Sequence, residues 1–234
     1  MPTSPPPRPV RKRQRGRVTT RRIVDAAMAL LLTEGLEAVT TSRLAQASGI
    51  VQSGFYTHFR SVDEVIAQAA ERIGQHLRRA IRNLQQELVA LRGGTVAEVH
   101  DHYLRILRML LTQDREFSVL FVQYRRSPSP LGDSLRRFER SLIRDTARAL
   151  APITHPAQPA AGQRDLAQAE SLFNLFWVEM DLLLQGRASE ATLDRAALHL
   201  AILSKVSVEF NYRDFDRARL LRRRDLNVIR TAKR

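Results

Sequence analysis

Residues 41–60 read TSRLAQASGIVQSGFYTHFR, and this stretch decides the fold. Two helices that cross tightly need a small residue at the crossing, a turn residue able to take positive φ, and apolar residues that lock them together. Ala45 fits the crossing, and Gly49, four residues later, fits the turn. Leu44, Ile50 and Phe55 fit the locking positions. Each match is uninformative alone. Together, inside a three-helix pattern, they specify a helix-turn-helix; an ordinary helical hairpin, which uses the same turn chemistry, is the competing reading at this point.

The flanking sequence continues the helical pattern. Upstream, Ile23, Ala26, Ala27, Leu30 and Leu31 form one apolar face of a helix over Thr20–Glu34, with Thr19 or Thr20 as its cap and Gly35 as its end. The second helix starts near Thr40 or Thr41 and the third spans Val51–Tyr56. Ser61 and Glu64 make a capping box for a long helix whose stripe runs from Ile66 through Ile73, Leu77 and Ile81 to Leu91, ending at Gly93-Gly94. Thr95 and Glu98 repeat the box, and Asp114 is placed to cap a short helix carrying Phe117, Leu120 and Phe121. A helix from Leu135 to Leu150 follows the Ser127–Pro130 loop, residues 151–163 read as a connector, and helices over 165–185 and 190–212 close the chain. The ten prolines lie at 2–9, 128–130 and 152–159, which leaves long proline-free stretches of 3.6-residue period. Period-2 alternation is essentially absent. The expected fold is all-α, about nine helices: an N-terminal three-helix helix-turn-helix domain before a larger C-terminal bundle.

Charge divides the 234 residues unevenly. The formal net charge is +14: residues 1–60 carry +7, residues 61–212 only +1, and residues 213–234 carry +6. A basic end on a neutral body suggests a separate surface for a polyanion; a solvated tail accounts for either end by itself. The division expected is a disordered basic arm over 1–18, the helix-turn-helix over 19–60, the bundle over 61–213 and a basic tail over 214–234. Hydrophobic residues are 44% of the chain, enough for a core, yet the longest apolar run, Ala26–Leu32, is far short of the ~20 residues that span a bilayer. The start lacks the apolar centre of a secretory signal. The absence of cysteine excludes a disulfide framework, a thiolate nucleophile and a Cys-ligated metal site. A cytoplasmic protein without cofactor or metal is the expectation.

Over Thr20–Ala70 the sequence resembles the TetR-type bacterial transcriptional regulators. The resemblance is carried by TRRIVDAAMALLLTEGLEAVTTSRLAQASGI and VQSGFYTHFRSVDEV: the Gly49-Ile50 turn, Phe55-Tyr56, His58-Phe59, then an acid-capped helix. It implies a homodimeric, repressor-like protein that binds a palindromic double-stranded DNA operator through its N-terminal domain and a small-molecule effector through its C-terminal bundle. Carried over residue by residue, Val51, Gln52, Ser53 and Gly54 face the major groove, and Gln52 is the best base reader because its amide pairs bidentately with an adenine edge. Tyr56 and His58 match phosphate-contacting positions, and Thr41, Ser42 and Arg43 are placed on the backbone. Phe59 is core. Val62 stands where the family often has a phosphate-holding lysine, and Arg60 is the charge available in its stead. Arg8, Arg11, Lys12, Arg13, Arg15 and Arg17 form a basic arm that suits either a narrow minor groove or nonspecific phosphate attraction.

For the effector, helix bundles build pockets between facing helices. Tyr103, Phe121, Tyr124, Phe173 and Trp177 are the candidate lining, although plain core packing is the stronger account of any one of them; Asn174, Glu179 and Asp181 are candidate polar anchors, which a solvated face explains as well. The segment REFSVLFVQYRRSPSPLGDSLRRFERSL has a looser likeness to the subgroup that controls fatty-acid desaturation and senses acyl thioesters, which implies an apolar effector. The last two helices resemble the family's dimerisation pair, and two-fold symmetry matches a palindrome. Two rivals remain at this level. One is a nonspecific nucleic-acid binder or membrane-surface binder using the basic ends. The other is an all-α enzyme, against which stand the lack of HExxH, of a phosphate-binding glycine loop and of GxSxG.

Overall fold

The computed structural model describes residues 10–91, 95–154 and 162–209. Among them are nine α-helices and no strand: α1 (Val10–Thr33), α2 (Thr41–Ser48), α3 (Gln52–Phe55), α4 (Val62–Ala90), α5 (Val96–Thr112), α6 (Arg115–Tyr124), α7 (Pro130–Thr154), α8 (Gln163–Leu182) and α9 (Glu190–Glu209). The expected basic tail lies outside the described residues, as do Gly93-Gly94 and most of the connector before α8.

Helix α1 begins ten residues before the expected Thr20, directly after the last proline of the N-terminal run. Its first half offers no apolar stripe, so periodicity is blind to it, yet its Arg, Lys and Gln favour helix and no proline breaks them, Gly16 being carried within the helix. Thr20 therefore caps nothing: its hydroxyl donates back to the Gly16 carbonyl at 3.0 Å, inside the helix. The expected core face, from Ile23 to Leu31, is buried. Gly35 ends the helix with φ +91°.

The caps follow the sequence with two changes. At Thr95 the box is complete: the Thr95 N–H donates to the Glu98 carboxylate at 2.6 Å, and the Glu98 N–H donates to Thr95 Oγ1 at 3.3 Å. These bonds from Thr95 hold the Glu98 carboxyl below its ordinary value. At α4 the Ser61 hydroxyl accepts from the Glu64 N–H, but the Glu64 carboxylate reaches one residue further back, to the Arg60 N–H at 2.8 Å. Asp114 precedes α6 without a side-chain cap bond; its carboxylate lies 2.5 Å from His76 Nε2 instead.

The chain divides into two compact units. The first takes residues up to Ile81 together with Met109–Ser141. Its core joins Ile23, Leu31, Leu44, Phe55, Phe59 and Ile73 with Leu110, Leu120 and Phe121. Tyr124 ties α6 to α1: its hydroxyl donates to the Leu31 carbonyl at 2.8 Å, and burial raises its pKa. Arg125 pairs with Glu139 at 2.5 Å, and Arg136 donates to the carbonyls of Arg125 and Ser127, which fixes the loop entering α7.

The second unit takes Arg82–Arg108 and the residues from Leu142 on. Here α8 and α9 form a hairpin through the turn at Gly186, with φ +85°. Phe173, Phe176, Trp177 and Met180 of α8 are buried, as are Leu193, Ala196, Ala197 and Leu200 of α9. Two buried pairs join polar groups here: Glu179 with His199 at 2.9 Å, and Tyr103 Oη with Ser204 Oγ at 2.6 Å. Burial pushes the Tyr103 hydroxyl up to about 12. Folding thus favours its neutral form, so its contribution is complete below pH 10, where the unfolded chain begins to ionise it, and is lost as pH rises toward 12. Denaturant titrations across this window are expected to show stability falling with pH, and a shallower fall in Tyr103→Phe.

Candidate nucleic-acid interface

The interface is built on the end of α2. Thr40 opens that helix, its hydroxyl accepting from the Arg43 N–H at 3.4 Å. Gly49 closes it in the left-handed region, φ 64° and ψ 39°. The Gly49 N–H donates to the Gln46 carbonyl at 3.1 Å and the Ile50 N–H to the Ala45 carbonyl at 3.0 Å. These two bonds satisfy carbonyls that a bare helix end leaves open. A side chain at 49 would pay for the left-handed backbone, and its Cβ would lie 3.0 Å from the Arg22 guanidinium.

From this turn Val51 runs extended into the single-turn helix α3. Leu44 and Ala45 beneath it are buried, and Phe55 is sealed between them and Phe59, whose ring lies 5.9 Å from its own. One side of the motif is therefore core, and the opposite side is open. Val51 is 71% and Tyr56 61% exposed, large fractions for residues of their size. Gln52 and Ser53 are exposed, while Gly54 is half-buried. Tyr56 stands edge-on to Phe55 at 5.4 Å, so a buried ring steadies an exposed one.

His58 is half-buried, with Nδ1 3.4 Å from Thr20 Oγ1. The Thr20 hydroxyl gives its single proton to the Gly16 carbonyl, so toward His58 it accepts and Nδ1 carries the hydrogen. Nε2 is then the nitrogen left to meet a partner. Ser42 and Arg43 are exposed and Thr41 half-buried, and the Arg43 guanidinium lies 2.5 Å from the Glu34 carboxylate, which orients it. Arg60 is exposed. Arg17 is exposed on α1; Arg13 and Arg15 belong to the same helix, but their side chains lie outside the described residues.

Of the expected recognition residues, Val51, Gln52, Ser53 and Tyr56 are exposed, while Gly54 and His58 are half-buried. The structure adds a groove of about 860 Å³ that runs from α1 to α4 past the loop after α3, lined by Arg17, Arg21, Thr57 and His58. Arg21 and Thr57 escaped the sequence reading. Arg21 follows Arg17 by four residues, a same-face spacing that counts only once this stretch is known to be helical.

The five aromatic effector candidates divide between the units. Phe121 and Tyr124 belong to the first, where Phe121 packs edge-on to Phe138 at 6.0 Å. Tyr103, Phe173 and Trp177 belong to the second, where Trp177 meets Phe176 edge-on at 5.3 Å. Of the polar candidates, Glu179 is buried against His199, Asp181 accepts from Gln185 at 3.0 Å, and Asn174 is exposed. Among the described residues no group of three or more His, Asp or Glu could hold a metal ion, and no helix is long and apolar enough to cross a membrane.

Residues 23–69 match the family of bacterial regulatory proteins, tetR family. Among solved structures the chain is similar to a Mesorhizobium loti MAFF303099 protein classed as a TetR-family transcriptional regulator, at 16% identity over 81% of this chain and 96% of that one, with a TM-score of 0.57. It is also similar to a TetR transcriptional regulator from Rhodococcus sp. RHA1, at 17% identity, 83% and 98% coverage and a TM-score of 0.49. A third is FadR of Thermus thermophilus, a TetR-family transcriptional repressor in complex with lauroyl-CoA, at 18% identity, 81% and 93% coverage and a TM-score of 0.46. The first likeness establishes the fold: an N-terminal helix-turn-helix before a larger helical part, as in the TetR-family regulators.

Proposed function

We propose that this protein is a sequence-specific, DNA-binding transcriptional regulator, a dimeric repressor released from a palindromic operator by a small effector. The observation that carries the reading is the helix-turn-helix itself. It buries Leu44, Ala45 and Phe55 while leaving Val51, Gln52, Ser53 and Tyr56 exposed, and a family match covers the same residues. Gln52 reads a base edge, Tyr56 and His58 contact phosphates, and Ser42, Arg43 and Arg60 contribute further backbone contacts. The effector is an apolar molecule, with a fatty acyl thioester the favoured class on the likeness of residues 115–142. Tyr103, Phe121, Tyr124, Phe173 and Trp177 are its candidate contacts, and the cell's cytoplasm is the place of action.

The assembly is a two-fold dimer through α8 and α9. Val178 is 45%, Leu198 40% and Ile202 45% exposed, apolar side chains facing outward on this helix pair. A C2 interface presents two identical reading heads to a palindrome. Replacing both Leu198 and Ile202 by aspartate is expected to weaken self-association by about 1 kcal/mol or more, seen in sedimentation, and to weaken operator binding with it.

Genomic footprinting with the purified protein tests the core of the reading. The expected result is protection of discrete two-fold sites. Uniform, sequence-blind protection, lost on removal of residues 1–17, favours the nonspecific binder instead.

A further inference from the structure

Two residues of α3 and its entry are poor choices for folding. Val51 occupies the N-cap, where serine, threonine, asparagine or aspartate would accept a bond from the first N–H groups of the helix; its side chain accepts none. It is also 71% exposed, so its methyl groups gain little from burial. Gly54 lies inside α3, where alanine is the better helix former. Unlike Gly35, Gly49 and Gly186 it does not have positive φ, so the backbone there does not demand glycine.

Packing does not demand it either. A Cβ at position 54 would meet Val51 Cγ2 at 3.5 Å, an ordinary van der Waals distance, and among the described residues no closer neighbour outside its own turn of chain. Position 54 therefore leaves room for one methyl group against the valine. Neither residue serves the fold, and together they place a methyl-sized apolar notch on the helix expected to face the major groove.

The major groove offers one group that suits such a notch. Base edges there present hydrogen-bond donors and acceptors, and the C5-methyl of thymine is their apolar feature. Gln52, the next residue in the chain, is exposed and carries the amide that suits an adenine edge. The net charge of +7 over residues 1–60 favours DNA as the occupant over an apolar protein surface. We propose that Val51 reads a thymine in each operator half-site, the C5-methyl of that base lodging against Val51 Cγ2 in the room left by Gly54. Such a contact rests on the regulator reading above and adds to it one base of the operator.

The test uses the full chain and the operator that footprinting supplies. In anisotropy titrations each thymine of the half-site is replaced in turn by deoxyuridine, which removes one methyl and leaves every hydrogen-bonding edge as it is. At one position the wild type is expected to lose about fourfold in affinity per half-site, the equivalent of one buried methyl group. Val51→Ala and Gly54→Ala are each expected to bind the thymine duplex more weakly by a similar factor and to be indifferent to deoxyuridine at that position, because the contact can be lost only once. Unfolding midpoints of Gly54→Ala and Val51→Ser are expected at or above that of the wild type, which separates lost reading from lost fold. Discrete operators with no sensitivity to deoxyuridine at any position, or with the same sensitivity in Val51→Ala as in the wild type, overturn the thymine contact and leave the regulator reading standing. Lowered midpoints in both Gly54→Ala and Val51→Ser also overturn it, since the two residues then serve the fold. Protection of no discrete site defeats the regulator reading and the thymine contact together.

Discussion

Phe55→Ala is expected to cost about 3–5 kcal/mol of stability, the range for removing a fully buried aromatic ring. Phe55 has no exposed surface, stacks at 5.9 Å on Phe59 and supports Tyr56 edge-on. Its removal empties the space between α2 and α3, and a single-turn helix has too few backbone bonds to hold its place without that ring. Denaturant unfolding is the measurement, and a sharp fall in midpoint is the expected result. Val51→Ala, four residues earlier and largely exposed, is the companion, with a change within about 0.5 kcal/mol. A similar small change in Phe55→Ala would show that α3 is held by something other than this ring.

Gln52→Ala is expected to lose about 1–3 kcal/mol of operator binding, or roughly tenfold to a hundredfold, and little of the binding to unrelated DNA. The amide sits at the start of α3, exposed, where the core behind it fixes the helix but makes no use of the side chain. Truncation removes base reading without loosening the fold. Tyr56→Ala is the contrast: a phosphate contact is indifferent to sequence, so specific and nonspecific binding fall together. Anisotropy titrations on operator and scrambled duplexes at one salt concentration distinguish the two. Equal losses on both duplexes for Gln52→Ala would remove it from the base-reading set.

Local chemistry made much of this architecture legible. Gly49 could be placed because a tight turn demands a backbone that other residues resist, and it is left-handed as expected. The box at Thr95 and Glu98 was legible because both partners lie within one helical turn. The first half of α1 was hidden because its sequence leaves no apolar period. Asp114 was misjudged because its partner, His76, is 38 residues away, and no local pattern records such a pairing. The bond from Tyr124 to Leu31 spans 93 residues and is silent for the same reason. The packing of α4 on α7 depends on Gly74 meeting Phe138, which each helix read separately does not reveal. The helix-turn-helix was readable from twenty contiguous residues, whereas the groove beside it requires the packed molecule.

The early start of α1 changes what its basic residues are. A coil that settles onto a duplex surrenders about 1–2 kcal/mol of backbone freedom for every residue it fixes. A rod that is rigid before the encounter has no such toll left to meet. With about 1.5 Å of rise per residue, Arg17 and Arg21 are spaced about 6 Å apart along the axis whatever base sequence lies beneath. On the DNA-binding reading proposed above, the start of α1 acts as a ruler rather than a tether, presenting Arg17 and Arg21 to phosphates at a fixed interval.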